Sequence, residues 1–276
     1  MPDAKPAPDR LYRHTLPVRL AHWINVVCLP ILVMSGLQIF NAHPALYWGE
    51  RSDPDRALLS IDAVGSDDNE PIGLTTVFGR TFDTTGLLGV STDAEGRVRS
   101  RGFPSWATLP GPQWLAMGRR WHFFAAWIFV LNGVLFAIYS LAGRHLWRDL
   151  LPSWRELRGL GGSIVDHLRF RHGDEVARYN GLQKIAYLGV IFGLGPLIVW
   201  TGLAMSPRMD AAFPWLSDVW GGRQSARTVH FMACVLFIGY VAVHVIMVAA
   251  TGLWNNLRSM LSGWYRLPPP KSGGTL

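Results

Sequence analysis

The stretch Gly221–Trp254, GGRQSARTVHFMACVLFIGYVAVHVIMVAATGLW, decides the fold of this chain. Its 25 residues from Val229 to Leu253 include no Asp, Glu, Lys or Arg. At a helical rise of about 1.5 Å per residue, that run crosses a hydrocarbon core of about 30 Å. Two histidines interrupt it, His230 and His244. Fourteen steps of about 100° return to within roughly 40° of the start, so both rings share one helix face. The same steps separate them by about 21 Å along the axis, one near each membrane surface. Ionisable groups inside a membrane helix are costly and mark function by default. Two on one face, one per leaflet, point to two stacked cofactors. The plainer alternative is two histidines hydrogen-bonded to neighbouring helices.

Composition agrees with a membrane chain. Of 276 residues, 49% are hydrophobic and 16% charged, against about 25% charged in soluble domains. The 13 tryptophans fit rings placed at membrane–water boundaries. The net charge of +7 is not a nucleic-acid signal, because the basic residues cluster beside apolar spans. Cys28 and Cys234 lie inside apolar runs and form no CxxC, CxxCH or zinc pattern, which makes them core residues.

Four spans are predicted. The first runs from about Pro17 to Phe40 and contains His22; it is too long, and lacks the small-residue cleavage site, for a secretory signal. The second covers about Gln113–Leu141, with His122 near its start, and the third about Leu182–Met205, without histidine. The fourth is the opening stretch. Residues 41–113 form a long polar insert with six arginines against ten acids. Its turn-like Asp93–Gly96 and β-prone Leu74–Phe82 predict irregular structure with a hairpin, and its length favours a docking surface over a passive cap. Residues 143–184 carry eight basic and five acidic residues and predict interfacial amphipathic helices around Leu146–Leu157 and Ser163–Phe170.

Four spans place both termini on one side. That side holds 15 Lys and Arg near span ends against 11 on the other, and long inserts cross regardless of charge. Both termini are therefore expected in the cytoplasm, with the insert outside. His22 then lies near the cytoplasmic start of span one and His122 near the outer start of span two. On span four, His230 lies near the outside and His244 near the cytoplasm.

Four histidines thus fall at two depths, two per depth. A b haem needs two axial ligands and no covalent attachment, and a bis-His site takes both from facing helices. Zinc would want further thiolate, carboxylate or water ligands. Depth pairs His22 with His244 around a cytoplasmic-side haem iron, and His122 with His230 around a periplasmic-side one. Arg19, Arg119 and Arg227 each precede a histidine by three residues, one turn nearer the surface on the same face. There a guanidinium fork suits a haem propionate, the alternative being arginines that snorkel at helix ends. Gly36, Gly133 and Gly239 are candidates for close porphyrin approach or for helix packing. His14, His43, His145, His167 and His172 lie in tails or loops, with His14 and His43 near enough to the membrane to remain minor candidates.

These residues resemble the bacterial di-haem cytochrome b family, the membrane subunits of nickel–iron hydrogenases, formate dehydrogenase and thiosulfate reductase. The matching pieces are RLAHWIN (19–25), GRRWHFFAAW (118–127), and SARTVH with VAVH (225–230 and 241–244). Ser-Gly-Leu (35–37) and Thr-Gly-Leu (201–203) also match. The resemblance implies electron transfer between a redox partner outside the membrane and quinone within it, through two b haems. The long insert departs from the compact family pattern. HPALYWGE (43–50) and FPSWATLPG (103–111) look like members that work with periplasmic molybdopterin oxidoreductases.

The expectation is an all-α integral membrane protein of the bacterial inner membrane, in contact with lipid. A single domain over residues 1–276 forms a four-helix bundle with two stacked b haems and an extracytoplasmic loop. Its expected function is an electron-transfer subunit linking a periplasmic oxidoreductase to the quinone pool, with Tyr179, Asn180 and Lys184 as candidates for quinone. Two rival readings are a stand-alone quinone-linked reductase or superoxide oxidase, and a non-haem transporter or assembly factor.

Overall fold

The computed structural model describes residues 10–65, 70–143, 146–147, 151–159, 161–162 and 181–267. Among them, four helices are long and apolar enough to cross a membrane: Leu16–Phe40, Leu115–Ala142, Gly181–Ala204 and Arg223–Ala250. These are the four predicted spans. Span three is not a uniform α-helix, since Gly189–Leu194 winds as a π-helix just ahead of Pro196. Proline has no N–H to give to the carbonyl four residues back and its ring presses on that carbonyl, so a widened turn accommodates it.

The chain divides into two compact units, one of Met1–Trp23, Gly133–Gly193 and Ile238–Leu276, the other of Ile24–Asn132 and Leu194–Phe237. In the first, strands β1 (Arg10–Tyr12) and β8 (Trp264–Arg266) pair antiparallel, with Leu11 opposite Tyr265. Gly252, at φ 106°, turns the chain from span four into the helix Leu253–Ser262. The last carbonyls of that helix lack intrahelical donors. Span one supplies them: Arg19 Nε donates to Met260 O at 3.3 Å, Arg19 Nη2 to Leu261 O, and Trp23 Nε1 to Met260 O at 3.1 Å. The amphipathic helix expected around Leu146–Leu157 is seen as a short helix, Trp154–Arg158, opened by a Ser153–Glu156 capping box. The one expected around Ser163–Phe170 lies outside the described residues.

The second unit carries the insert, and here the all-α expectation needs correction. Strands β2 (Ala45–Leu46), β3 (Leu59–Gly65), β4 (Pro71–Val77) and β5 (Arg80–Asp83) form an antiparallel sheet in that order. Strands β6 (Gly89–Thr92) and β7 (Val98–Arg101) form a further hairpin. The expected hairpin over Leu74–Phe82 is the β4–β5 pair, closed by Phe78 and Gly79 at φ 48° and 77°. A two-residue turn with both φ positive matches the twist of its strands. Asp93–Gly96 turns β6 into β7, with Asp93 Oδ1 accepting from Glu95 and Arg97 N–H. The remaining strands give a weak pattern because β2 is two residues long, β3 buries one large side chain, Ile61, and β6 opens on a glycine. At Gly73 an added Cβ would lie 2.1 Å from Leu88 O, so the backbones meet where a side chain would otherwise signal a core.

The insert is tied to span one by a buried cation. Arg101 donates to Gly111 O at 2.8 Å, Thr108 Oγ1 at 2.8 Å and Gln38 Oε1 at 3.0 Å. Beside it Phe40, Leu46 and Ile61 form an apolar core against which Phe103 and Phe231 pack. Span four joins through Thr228 Oγ1, which donates to Tyr47 O at 2.6 Å.

Candidate functional site

Helix direction brings the four span histidines into two facing pairs. In the first unit the rings of His22 and His244 have centres 6.2 Å apart with planes at 58°. In the second unit His122 and His230 lie 6.3 Å apart with planes at 60°. Spans one and four run in opposite directions, so an early residue of one meets a late residue of the other; spans two and four run alike, so early meets early.

The second pair is held by hydroxyl–glycine dipeptides on the neighbouring spans. Ser35 Oγ donates to Ile31 O at 2.5 Å, leaving its oxygen to accept from His122 Nδ1 at 3.1 Å. Leu32 O lies 3.2 Å from the same nitrogen. Thr201 Oγ1 likewise donates to Leu197 O at 2.8 Å and accepts from His230 Nδ1 at 3.1 Å. The next residue is glycine in both places. A Cβ on Gly36 would lie 3.4 Å from His122 Cε1, and one on Gly202 3.3 Å from His230 Cε1. Acceptors at Nδ1 fix the proton there and leave Nε2 as a bare lone pair.

This donor set fits a haem iron. Nitrogens that face one another across a metal at about 2 Å each put imidazole centres about 6.2–6.3 Å apart, the spacing of both pairs. Among the described residues, no group of three or more His, Cys, Asp or Glu could hold a metal by itself. Two imidazoles therefore suit an ion whose other positions are filled by a macrocycle. Gly133 and Gly239 face open space, where an added Cβ would meet nothing within 4 Å. In the first pair, His22 Nδ1 is buried without a partner among the described residues, and Tyr240 stacks on His244 at 6.0 Å.

The three arginines have protein partners of their own. Arg19 caps the Leu253–Ser262 helix. Arg119 lies over the Phe123 ring at 5.8 Å, and Arg227 lies over Phe40 at 5.1 Å while donating to His43 O. Five N–H donors per guanidinium leave capacity beyond these contacts. His43 stacks on Tyr47 at 5.5 Å; burial, then the Arg227 charge, lowers its pKa. His14 bonds through its backbone N–H to Gly263 O. Of the quinone candidates, Lys184 is ion-paired with Glu156 at 2.8 Å. That bond, then the Ser153 backbone N–H, holds the Glu156 carboxyl below its ordinary pKa. Tyr179, Asn180, His145, His167 and His172 lie outside the described residues.

In the sequence Ser-Gly-Leu and Thr-Gly-Leu stand only as matching pieces, with Gly36 open to porphyrin approach or helix packing; in the structure it lies against the His122 ring. Thr201, Gly202 and Ser35 were missed as contacts of the histidines. A signal was present in an internal repeat: PILVMSGL (30–37) matches PLIVWTGL (196–203). The partner helices repeat too, as RRWHFFAAWIF (119–129) and RTVHFMACVLF (227–237), with Arg, His, Phe, Ala and Phe in register.

The chain is similar to known membrane proteins over most of its length. The family model for prokaryotic cytochrome b561 matches residues 13–263. A protein of Azospira oryzae, named as a candidate protein-methionine-sulfoxide reductase subunit, YedZ1, is 29% identical over 234 residues. That match spans 84% of this chain and 87% of the Azospira protein.

Proposed function

We propose, because this chain belongs to the prokaryotic cytochrome b561 family, that it carries electrons through two b haems. One would be held by His22 and His244 and the other by His122 and His230. Membership itself makes the chain a multi-pass membrane b-type cytochrome of electron transport. The observation that carries the finer reading is the pair of facing imidazoles at 6.2 and 6.3 Å, one pair in each unit.

When bound, haem b supplies a one-electron ferric–ferrous couple without covalent attachment. His122 and His230 would bind the iron through Nε2, with Ser35, the Leu32 carbonyl and Thr201 accepting the proton on Nδ1. Arg119 and Arg227 offer donors one turn nearer the outer surface than their histidines, where propionates would lie; Arg19 does so at the cytoplasmic side. The apolar spans exclude water from the ligand pairs.

Both termini are proposed to face the cytoplasm and the β-rich insert the periplasm, where it docks a redox partner. The name of the Azospira relative makes an oxidoreductase acting on protein methionine sulfoxide the leading partner class. A sulfoxide takes two electrons and two protons to become thioether and water, so electrons would enter from a membrane quinol and leave outward. A molybdopterin centre in that partner rests on the family resemblance alone.

Purified protein tests the cofactor reading. The expected result is two haems b per chain by pyridine haemochrome, released by acid-acetone. A ratio near zero or one contradicts it. A stand-alone quinone reductase or superoxide oxidase would share these ligands, and stable co-purification of a second subunit separates it from the proposal.

A further inference from the structure

The two halves of the chain repeat one another at the His122–His230 pair and not at the other. Pro30–Leu37 on span one and Pro196–Leu203 on span three are the same motif, Pro-x-x-Val-x-(Ser/Thr)-Gly-Leu. Each motif meets one histidine of the pair, and each does so with the same atoms. In both, the hydroxyl donates to the carbonyl four residues back and stands 3.1 Å from an imidazole Nδ1. At His122 the carbonyl three residues before the hydroxyl residue, Leu32 O, lies 3.2 Å from the same nitrogen as a second acceptor. In both, the glycine lets the ring edge rest on the helix, with 3.3–3.4 Å from a notional Cβ to Cε1.

The repeated motifs also explain why hydroxyl and glycine are adjacent. The hydroxyl must reach a ring lying on its own helix, and that ring reaches the helix only where no Cβ stands in the way. A serine or threonine whose proton goes to its own i−4 carbonyl presents only lone pairs outward. Such a group can accept from Nδ1–H but cannot donate to it, so it selects one tautomer. In the other pair, Nδ1 of His22 has no such acceptor among the described residues.

We propose that Ser35–Gly36 and Thr201–Gly202 are duplicated imidazole seats, positioning residues that fix the tautomer and ring plane of His122 and His230 and hold down the reduction potential of the haem that these ligate. The inference rests on the haem reading above. Acceptors on Nδ1–H make an axial imidazole more basic, and a more basic ligand favours ferric over ferrous iron. A hydroxyl acceptor acts on each ring of this pair, joined at His122 by the Leu32 carbonyl. Removing the hydroxyls withdraws one from each ring, so the haem should become easier to reduce.

The test is a redox titration of purified full-length protein, followed in the visible spectrum, for wild type, Thr201→Val, Ser35→Ala and the double variant. Each single variant should move one of two haem components to higher potential and leave the other in place, with the double variant moving the same component further. Thr201→Ser and Ser35→Thr should restore the wild-type midpoints. If valine at 201 removes one haem while serine retains both, the seat is essential for ligation and the proposal stands. Unchanged midpoints, equal movement of both components, or loss of both haems in Thr201→Val would overturn it. A wild-type protein without two haem components would instead defeat the di-haem reading itself.

Discussion

The rings of His122 and His230 face each other at 6.3 Å with their planes 60° apart, and each rests on a glycine of a neighbouring span. The ring planes are therefore set by backbone contacts. A methyl group at Gly202 would sit 3.3 Å from a His230 ring carbon and press the ring by a few tenths of an ångström, whereas one at Gly36 would reach ordinary contact with His122 at 3.4 Å. Gly202→Ala should therefore change the largest g-value of one low-spin ferric signal in electron paramagnetic resonance more than Gly36→Ala does. The second signal should stay where it is.

Asn132 Nδ2 donates to Asn25 Oδ1 at 2.9 Å, joining spans one and two. Interhelical amide bonds in membranes average about 0.6 kcal/mol and reach about 1.7 kcal/mol. A double-mutant cycle of Asn25→Leu and Asn132→Leu, read from unfolding in detergent, should give a coupling energy in that range. A coupling of zero would show that the amides do not hold the spans together.

Arg101 is 7% exposed, and its guanidinium meets only neutral acceptors. Arg101→Met strands Gln38 Oε1 and Gly111 O, and a lost set of charge-assisted bonds should cost about 3 kcal/mol. Limited proteolysis should then cut the insert faster, with both haem spectra retained. Loss of the outer-pair haem spectrum would make the insert a cap over that site.

Phe78 is 79% exposed at a hairpin tip where its φ of 48° suits asparagine better than an aromatic residue. An exposed aromatic ring at a hairpin tip suits the docking role proposed for the insert. Phe78→Asn should leave the melting temperature equal or higher and lower partner-dependent haem oxidation or reduction. Unchanged electron transfer would remove the hairpin tip from the docking surface.

The spans and their histidines were legible because both signals are one-dimensional. A charge-free run of 25 residues and a spacing of fourteen need only a helix rise and a turn angle to become depth and face. The insert was less legible. Strand β4 buries Gly73 and Thr75, and β6 buries Gly89 and Ser91, where a strand pattern would ask for large side chains. The seats were hidden for another reason: Ser35 and Thr201 act on histidines 87 and 29 residues away. Only a comparison of span one with span three would have shown them.

The proposed electron path depends most directly on which histidines share a haem. Single His→Ala variants, read by reduced-minus-oxidised spectra of purified protein, measure this. His22→Ala and His244→Ala should each remove the same spectral component, and His122→Ala and His230→Ala should each remove the other. Loss of one common component in His22→Ala and His230→Ala would contradict both the pairing and the helix directions behind it.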